Sequence, residues 1–121
     1  MTDYPFLIST KYLEEIAKKR SKEFSGSRPY PNIVLDDFLP KPHIDFLCEK
    51  FPLPNDKIWL DWSNQNEHQF NKQALKCERS FEKLDPSLLL AIHEFNSWKF
   101  ISFLEKITGI TKLLPDPYFR G

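Results

Sequence analysis

Ser97-Trp-Lys-Phe-Ile-Ser-Phe-Leu-Glu-Lys-Ile-Thr-Gly109 is the stretch on which the fold turns. Phe100, Ile101, Leu104 and Ile107 recur at intervals of three and four, the spacing that lines one face of a helix. Ser97 is placed to cap the first turn, and Gly109 to end the last one in the left-handed conformation that a residue without a Cβ adopts freely. This register assigns Ile101 and Leu104 to a buried stripe and Lys99, Ser102 and Lys106 to water. Just upstream, Asp85-Pro86 sets an N-cap acid before a proline at the first helical position, which predicts a helix leading into Leu88 to Phe95. Downstream, Leu113-Leu-Pro-Asp-Pro-Tyr-Phe-Arg-Gly121 must run extended, because its two prolines forbid helix.

Toward the N-terminus the pattern is less uniform. From Thr10, Leu13, Ile16, Ala17 and Phe24 recur at helical spacing, with Glu14 and Glu15 early and Lys18, Lys19 and Arg20 late, the charge order that the helix dipole favours. Ser25-Gly-Ser-Arg-Pro-Tyr-Pro31 breaks that helix and reads as a linker, so residues 1–31 divide from a domain at 32–121. Ile33 to Leu35 is expected to be a short strand. Pro40 and Pro42 then introduce a second helix whose apolar face is Ile44, Leu47, Cys48 and Phe51, and which stops before Pro52. Weak alternation places a strand at Lys57 to Trp62, while 63–73 is polar and gives no periodic signal. No internal repeat is present.

A chain of 121 residues suits a single domain, and its 17 basic and 17 acidic residues form no polybasic tract of the kind that binds nucleic acid or anionic membrane. The longest aliphatic run, Leu88 to Ile92, is far shorter than the roughly 18 residues of a membrane span. With 3 Gly in all, a Gly-rich phosphate loop and a β-barrel complete within these residues are both disfavoured. Cys48 and Cys77 are too few for a disulfide scaffold and too far apart for a Cys-x-x-Cys motif. Met1-Thr-Asp-Tyr-Pro5 lacks the basic and apolar regions of a secretory signal. A soluble, cytoplasmic protein is the expectation.

His43-Ile-Asp45 and His93 imitate the two-His, one-carboxylate triad of non-haem Fe(II) oxygenases. In that triad His-x-Asp converges on one metal from a strand, whereas positions two apart on a helix diverge by roughly 200°. Pro42 and the Ile44, Leu47, Phe51 pattern put His43 and Asp45 on a helix, so a capping or solvated pair is expected in place of ligands. Glu67-His68 has no second pair of ligands nearby. Cys77 sits beside Lys76 and Arg79, which could lower a thiol pKa, yet neither cysteine has a histidine partner by sequence logic. Trp59, Trp62, Phe81 and Trp98 are assigned to core packing, since no basic groove accompanies them. No catalytic, cofactor-binding or metal-ligating residue is assigned.

Phe95-Asn-Ser-Trp-Lys-Phe-Ile-Ser-Phe-Leu104, Ile107-Thr-Gly-Ile110 and Leu113-Leu-Pro-Asp-Pro117 together resemble the segment upstream of the metal site in 2-oxoglutarate- and Fe(II)-dependent oxygenases of the prolyl 4-hydroxylase-like kind. Asp36-Asp-Phe-Leu-Pro40 is similar to the start of that catalytic domain, so the likeness runs from about Ile33 to Gly121. It implies an α+β fold: a helical support layer and the first short strands of a double-stranded β-helix, or jelly-roll, with the barrel mostly missing. The chain would then be an N-terminal fragment of a dioxygenase, truncated before the family's His-x-Asp motif and inactive alone. Fe(II) and 2-oxoglutarate are implied for the complete protein, with none expected to bind this chain. Arg120 precedes the position of that motif and does not take the role of the family's 2-oxoglutarate-binding cation. The implied partner is the missing C-terminal half of the barrel, and the substrate, a protein side chain or a small molecule, stays open. The alternative is a standalone α-rich protein-interaction module with an aromatic binding face.

Overall fold

Ser9, in extended backbone, turns its hydroxyl oxygen to the Tyr12 N–H at 3.4 Å and so begins helix α1 (Thr10–Gly26). Ile8 before the cap and Leu13 after it both join the core, a hydrophobic staple that fixes the angle at which the chain meets the helix. The computed structural model describes residues 8–61, 73–75 and 83–117. Within them follow α2 (Lys41–Lys50), strands β1 (Trp59–Asp61) and β2 (Gln73–Leu75), α3 (Pro86–Phe95) and α4 (Trp98–Thr108). The described residues are thus α-rich, and their only sheet is a two-stranded antiparallel ribbon with Trp59 opposite Leu75 and Asp61 opposite Gln73.

The caps foreseen for the last two helices are in place. Asp85 Oδ1 accepts from Ser87 N–H at 2.9 Å beside Pro86, and Ser97 Oγ accepts from Phe100 N–H at 3.3 Å. Gly109 ends α4 at φ 75°, where a side chain would be strained although nothing lies within 4 Å of the Cβ position.

Helix α1 packs along α4, and Leu13, Ala17, Phe103 and Ile107 meet there with Ala91 of α3. The helix set apart in residues 1–31 therefore shares this core. Phe38 enters from the connection to α2 and lies against Tyr12, Phe100 and Phe103, with ring centroids 5.8, 6.3 and 5.9 Å away.

Four expectations are corrected. Ile33 to Leu35 forms neither strand nor helix: Ile33 and Leu35 pack against the core, Val34 is 68% exposed, and Arg20 Nη2 donates to the Val34 carbonyl at 3.2 Å. Alternation requires one apolar side, and a helix face supplies it as well as a sheet. The stripe of α2 is mostly uncovered, since Leu47 reaches the core while Ile44, Cys48 and Phe51 are exposed. On α4 the buried set is Ile101, Phe103 and Ile107, with Leu104 half-buried, because α1 lies over the Phe103 side. Lys99 bends back to pair with Glu94, so of the three residues assigned to water only Ser102 and Lys106 are exposed.

Phe103→Ala is expected to lower the unfolding free energy by about 3–5 kcal/mol, and Lys106→Ala by at most about 0.5 kcal/mol. Chemical denaturation of the two variants measures this, and equal losses would contradict the register of α4.

Candidate functional site

The histidine and aspartate that imitate a metal triad stand apart. His43 is half-buried in the first turn of α2. Asp45, on the same helix, is exposed and accepts from Lys41 Nζ at 2.9 and 2.7 Å through its two oxygens. His93 is exposed in the last turn of α3. Helical geometry turns positions 43 and 45 to different sides, as the proline-led pattern requires. Among the described residues no group of three His, Cys, Asp or Glu could hold a metal ion. Cys48 is an exposed free thiol. Trp62, Glu67, His68, Cys77, Phe81 and Arg120 lie outside the described residues.

The two described tryptophans differ. Trp59 stacks obliquely on Phe51 at 5.8 Å and donates its indole N–H to the Leu53 carbonyl at 2.9 Å. Trp98, assigned to the core, is the first residue of α4 and is 65% exposed.

A cleft of about 400 Å³ lies between the start of α1 and the start of α2. Ile8, Phe38, Leu39 and Pro40 make its apolar surface, and Asp37 and His43 stand among its polar groups. Its floor is pinned by Tyr12, whose hydroxyl donates to the Phe38 carbonyl at 2.6 Å. Asp37 has φ 53°, a left-handed position that aspartate tolerates better than most residues, and this kink returns Phe38 to the core while leaving Asp37 in solvent. Sequence reasoning did not find this cleft. The available signal was Asp36-Asp-Phe-Leu-Pro40, where two turn-forming acids precede an aromatic and a helix start.

No family model, no curated protein and no solved structure matches this chain.

The chemistry of the cleft is that of holding an apolar group. Ser9 caps α1, and Ile8, Tyr12, Phe38, Leu39 and Pro40 give the lining its apolar and aromatic character. On the far side of Tyr12, Arg20 donates to both oxygens of Glu23 at 2.5 and 2.7 Å. This hydrogen bonding raises the Arg20 pKa and holds the Glu23 carboxyl below the ordinary carboxylate value, while partial loss of hydration opposes each shift. Because the Glu23 value is depressed on folding, whatever the pair contributes is present above the ordinary glutamate pKa and fades as pH falls through the lowered one. Both groups are at the surface, so the pair is a local brace.

Tyr12→Phe removes the donor to the Phe38 carbonyl and is expected to cost about 1 kcal/mol. Urea denaturation checks this, and an unchanged midpoint would contradict the pinned floor.

Proposed function

We propose that this chain is the helical support layer of a 2-oxoglutarate- and Fe(II)-dependent oxygenase domain of the prolyl 4-hydroxylase-like kind, bracing a jelly-roll barrel and having no turnover of its own. The observation that carries this is the course of the chain after α4. Gly109 turns it, and the Leu113-Leu-Pro-Asp-Pro117 pattern on which the family resemblance rests follows without helix or strand, with the Leu113 amide donating to Glu105 and Asp116 exchanging two hydrogen bonds with Asn96. The character of α3 gives further support. Leu88 and Ala91 are buried and Leu89, Leu90 and Ile92 are half-buried, so the middle of the helix is apolar on every side, as suits one with a layer on each side.

The described residues do not fit Fe(II): His43 and Asp45 diverge on α2, and Asp45 is engaged by Lys41. No chemical step is therefore assigned to this chain, and oxygen activation would belong to the barrel it braces. A cytoplasmic location is part of the same proposal, supported by the exposed free thiol of Cys48, which suits a reducing compartment. No described helix is long and apolar enough to cross a membrane.

A second function is favoured by Trp98 and by Phe51, which is 58% exposed: a standalone α-rich interaction module that presents aromatic side chains to a partner protein.

The two separate in solution. A support layer alone should bind an anilinonaphthalene sulfonate dye in its folded state and release no succinate from 2-oxoglutarate above a protein-free control. A dye-silent monomer with a sharp thermal transition would favour the interaction module. Succinate release abolished by His43→Ala would overturn the assignment of a chain without turnover.

A further inference from the structure

Asp36 and Asp37 are adjacent in sequence and part in space. Asp36 lines a hollow with Lys19, Arg20 and Leu35, where its charge bears on the Arg20 guanidinium. Asp37, at φ 53°, lines the cleft between the start of α1 and the start of α2. Asparagine or glycine would meet that backbone angle at least as easily, so conformation alone does not call for a carboxylate here. Local bonding does not call for one either: among the described residues the exposed Asp37 carboxylate makes no hydrogen bond or ion pair. Lys41, the next cation along the chain, is engaged by both oxygens of Asp45. Asp37 is thus an uncommitted negative charge on a cleft that is otherwise mainly apolar.

The apolar surface is pre-formed. Phe38 is held by the rings of Tyr12, Phe100 and Phe103, its carbonyl takes the Tyr12 hydroxyl, and Leu39 and Pro40 continue the lining beside it. A surface fixed before binding spares a ligand the cost of ordering it. The volume of about 400 Å³ lies at the lower end of the roughly 300–1,000 Å³ of small-molecule sites, room for a ring and a short chain. A wholly apolar ligand would strip water from the Asp37 carboxylate with no partner in return, and an anionic one would be repelled.

We infer that this cleft binds a small organic cation, a primary ammonium carried on an apolar or aromatic body. The body lies on the surface of Phe38, Leu39 and Pro40, and the ammonium pairs with Asp37. Burial of the body supplies the affinity. The ion pair, which stays hydrated because Asp37 is exposed, supplies discrimination between ligands. The site requires no barrel and no metal, so it stands independently of the oxygenase proposal.

The test is a titration of the full chain read by amide chemical shifts, with phenethylammonium, phenethyl alcohol and phenylacetate as probes that share one ring and differ in charge. The ammonium is expected to shift the amides of Phe38, Leu39 and His43 saturably, with a midpoint at or below about 1 mM, and to leave Ile107 in place. It should bind about threefold or more tighter than the alcohol, with phenylacetate weakest. Asp37→Asn, which keeps a residue suited to the left-handed backbone, is expected to erase the preference for the ammonium while the alcohol binds within about twofold of the parent. The inference is overturned if the ammonium shows no saturable shift, if the alcohol or phenylacetate binds as tightly, if Asp37→Asn keeps the preference, or if Ile107 shifts as much as Leu39. Should that variant not fold, the parent decides: an ammonium preference unchanged between about 0.02 M and about 0.5 M salt overturns it equally, and one that falls with salt supports it.

Discussion

The turn between α3 and α4 is the constraint on which the other parts depend. Three side chains within four residues do the joining. Glu94 takes the amide of Ile8, Asn96 exchanges two hydrogen bonds with the backbone of Asp116 at 2.6 and 2.8 Å, and Ser97 caps α4 while donating to the Glu94 carbonyl at 2.7 Å. One corner thereby ties the segment before α1 and the segment after α4 to the helix pair. Each neutral bond contributes on the order of 1 kcal/mol, and those that accept at a charged group contribute more. Their larger effect is on arrangement: with both segments fixed, α1 has one way to lie on α4, and the Leu13, Ala17, Phe103, Ile107 core follows.

From that core a run of rings leads outward. Tyr12 and Phe38 stand near the cleft, Phe100 and Phe103 lie behind them, and Phe95 meets Phe100 edge-on at 5.0 Å where α3 reaches the surface. Aromatic rings bury much area with few torsions to freeze, so this run adds cohesion to an interior whose buried residues are otherwise aliphatic. Apolar groups remain uncovered at α2, around Leu53 and at Trp98. Such surface on a well-capped helix set is what a layer made to support something else displays, and it motivates the oxygenase proposal from packing as the Leu-Pro-Asp-Pro tail motivates it from sequence.

Helices were legible because their ends are written in single residues: Asp85 and Pro86, Ser97 and Gly109, Pro42 and Pro52 each act on the local backbone and need no partner. Which side of a helix is buried was less legible. Phe103 outranks Leu104 because α1 lies over it, a fact of tertiary packing, and Ile44 and Phe51 stay exposed because nothing described covers α2. The run at Ile33 has the composition of a strand yet packs on helices, and β2 begins where the polar stretch 63–73 ends and depends on β1 for its pairing. The cleft and the hydrogen bond from the Ile8 amide to Glu94 join positions far apart in the chain, so periodicity carried no trace of them. His43 and Asp45 could be judged in advance because helical geometry alone separates them.

The central claim, that the α3–α4 corner holds both flanking segments at once, is tested most directly by nuclear Overhauser contacts in the unmodified chain. Cross-peaks from the Asn96 side-chain amide to Asp116 and from the Ile8 amide to the Glu94 side chain are both expected, with the Asn96 amide protons slow to exchange. Assigned resonances that lack either set, with an Asn96 amide exchanging as in an unfolded peptide while Ala17 and Ile107 remain protected, would contradict it.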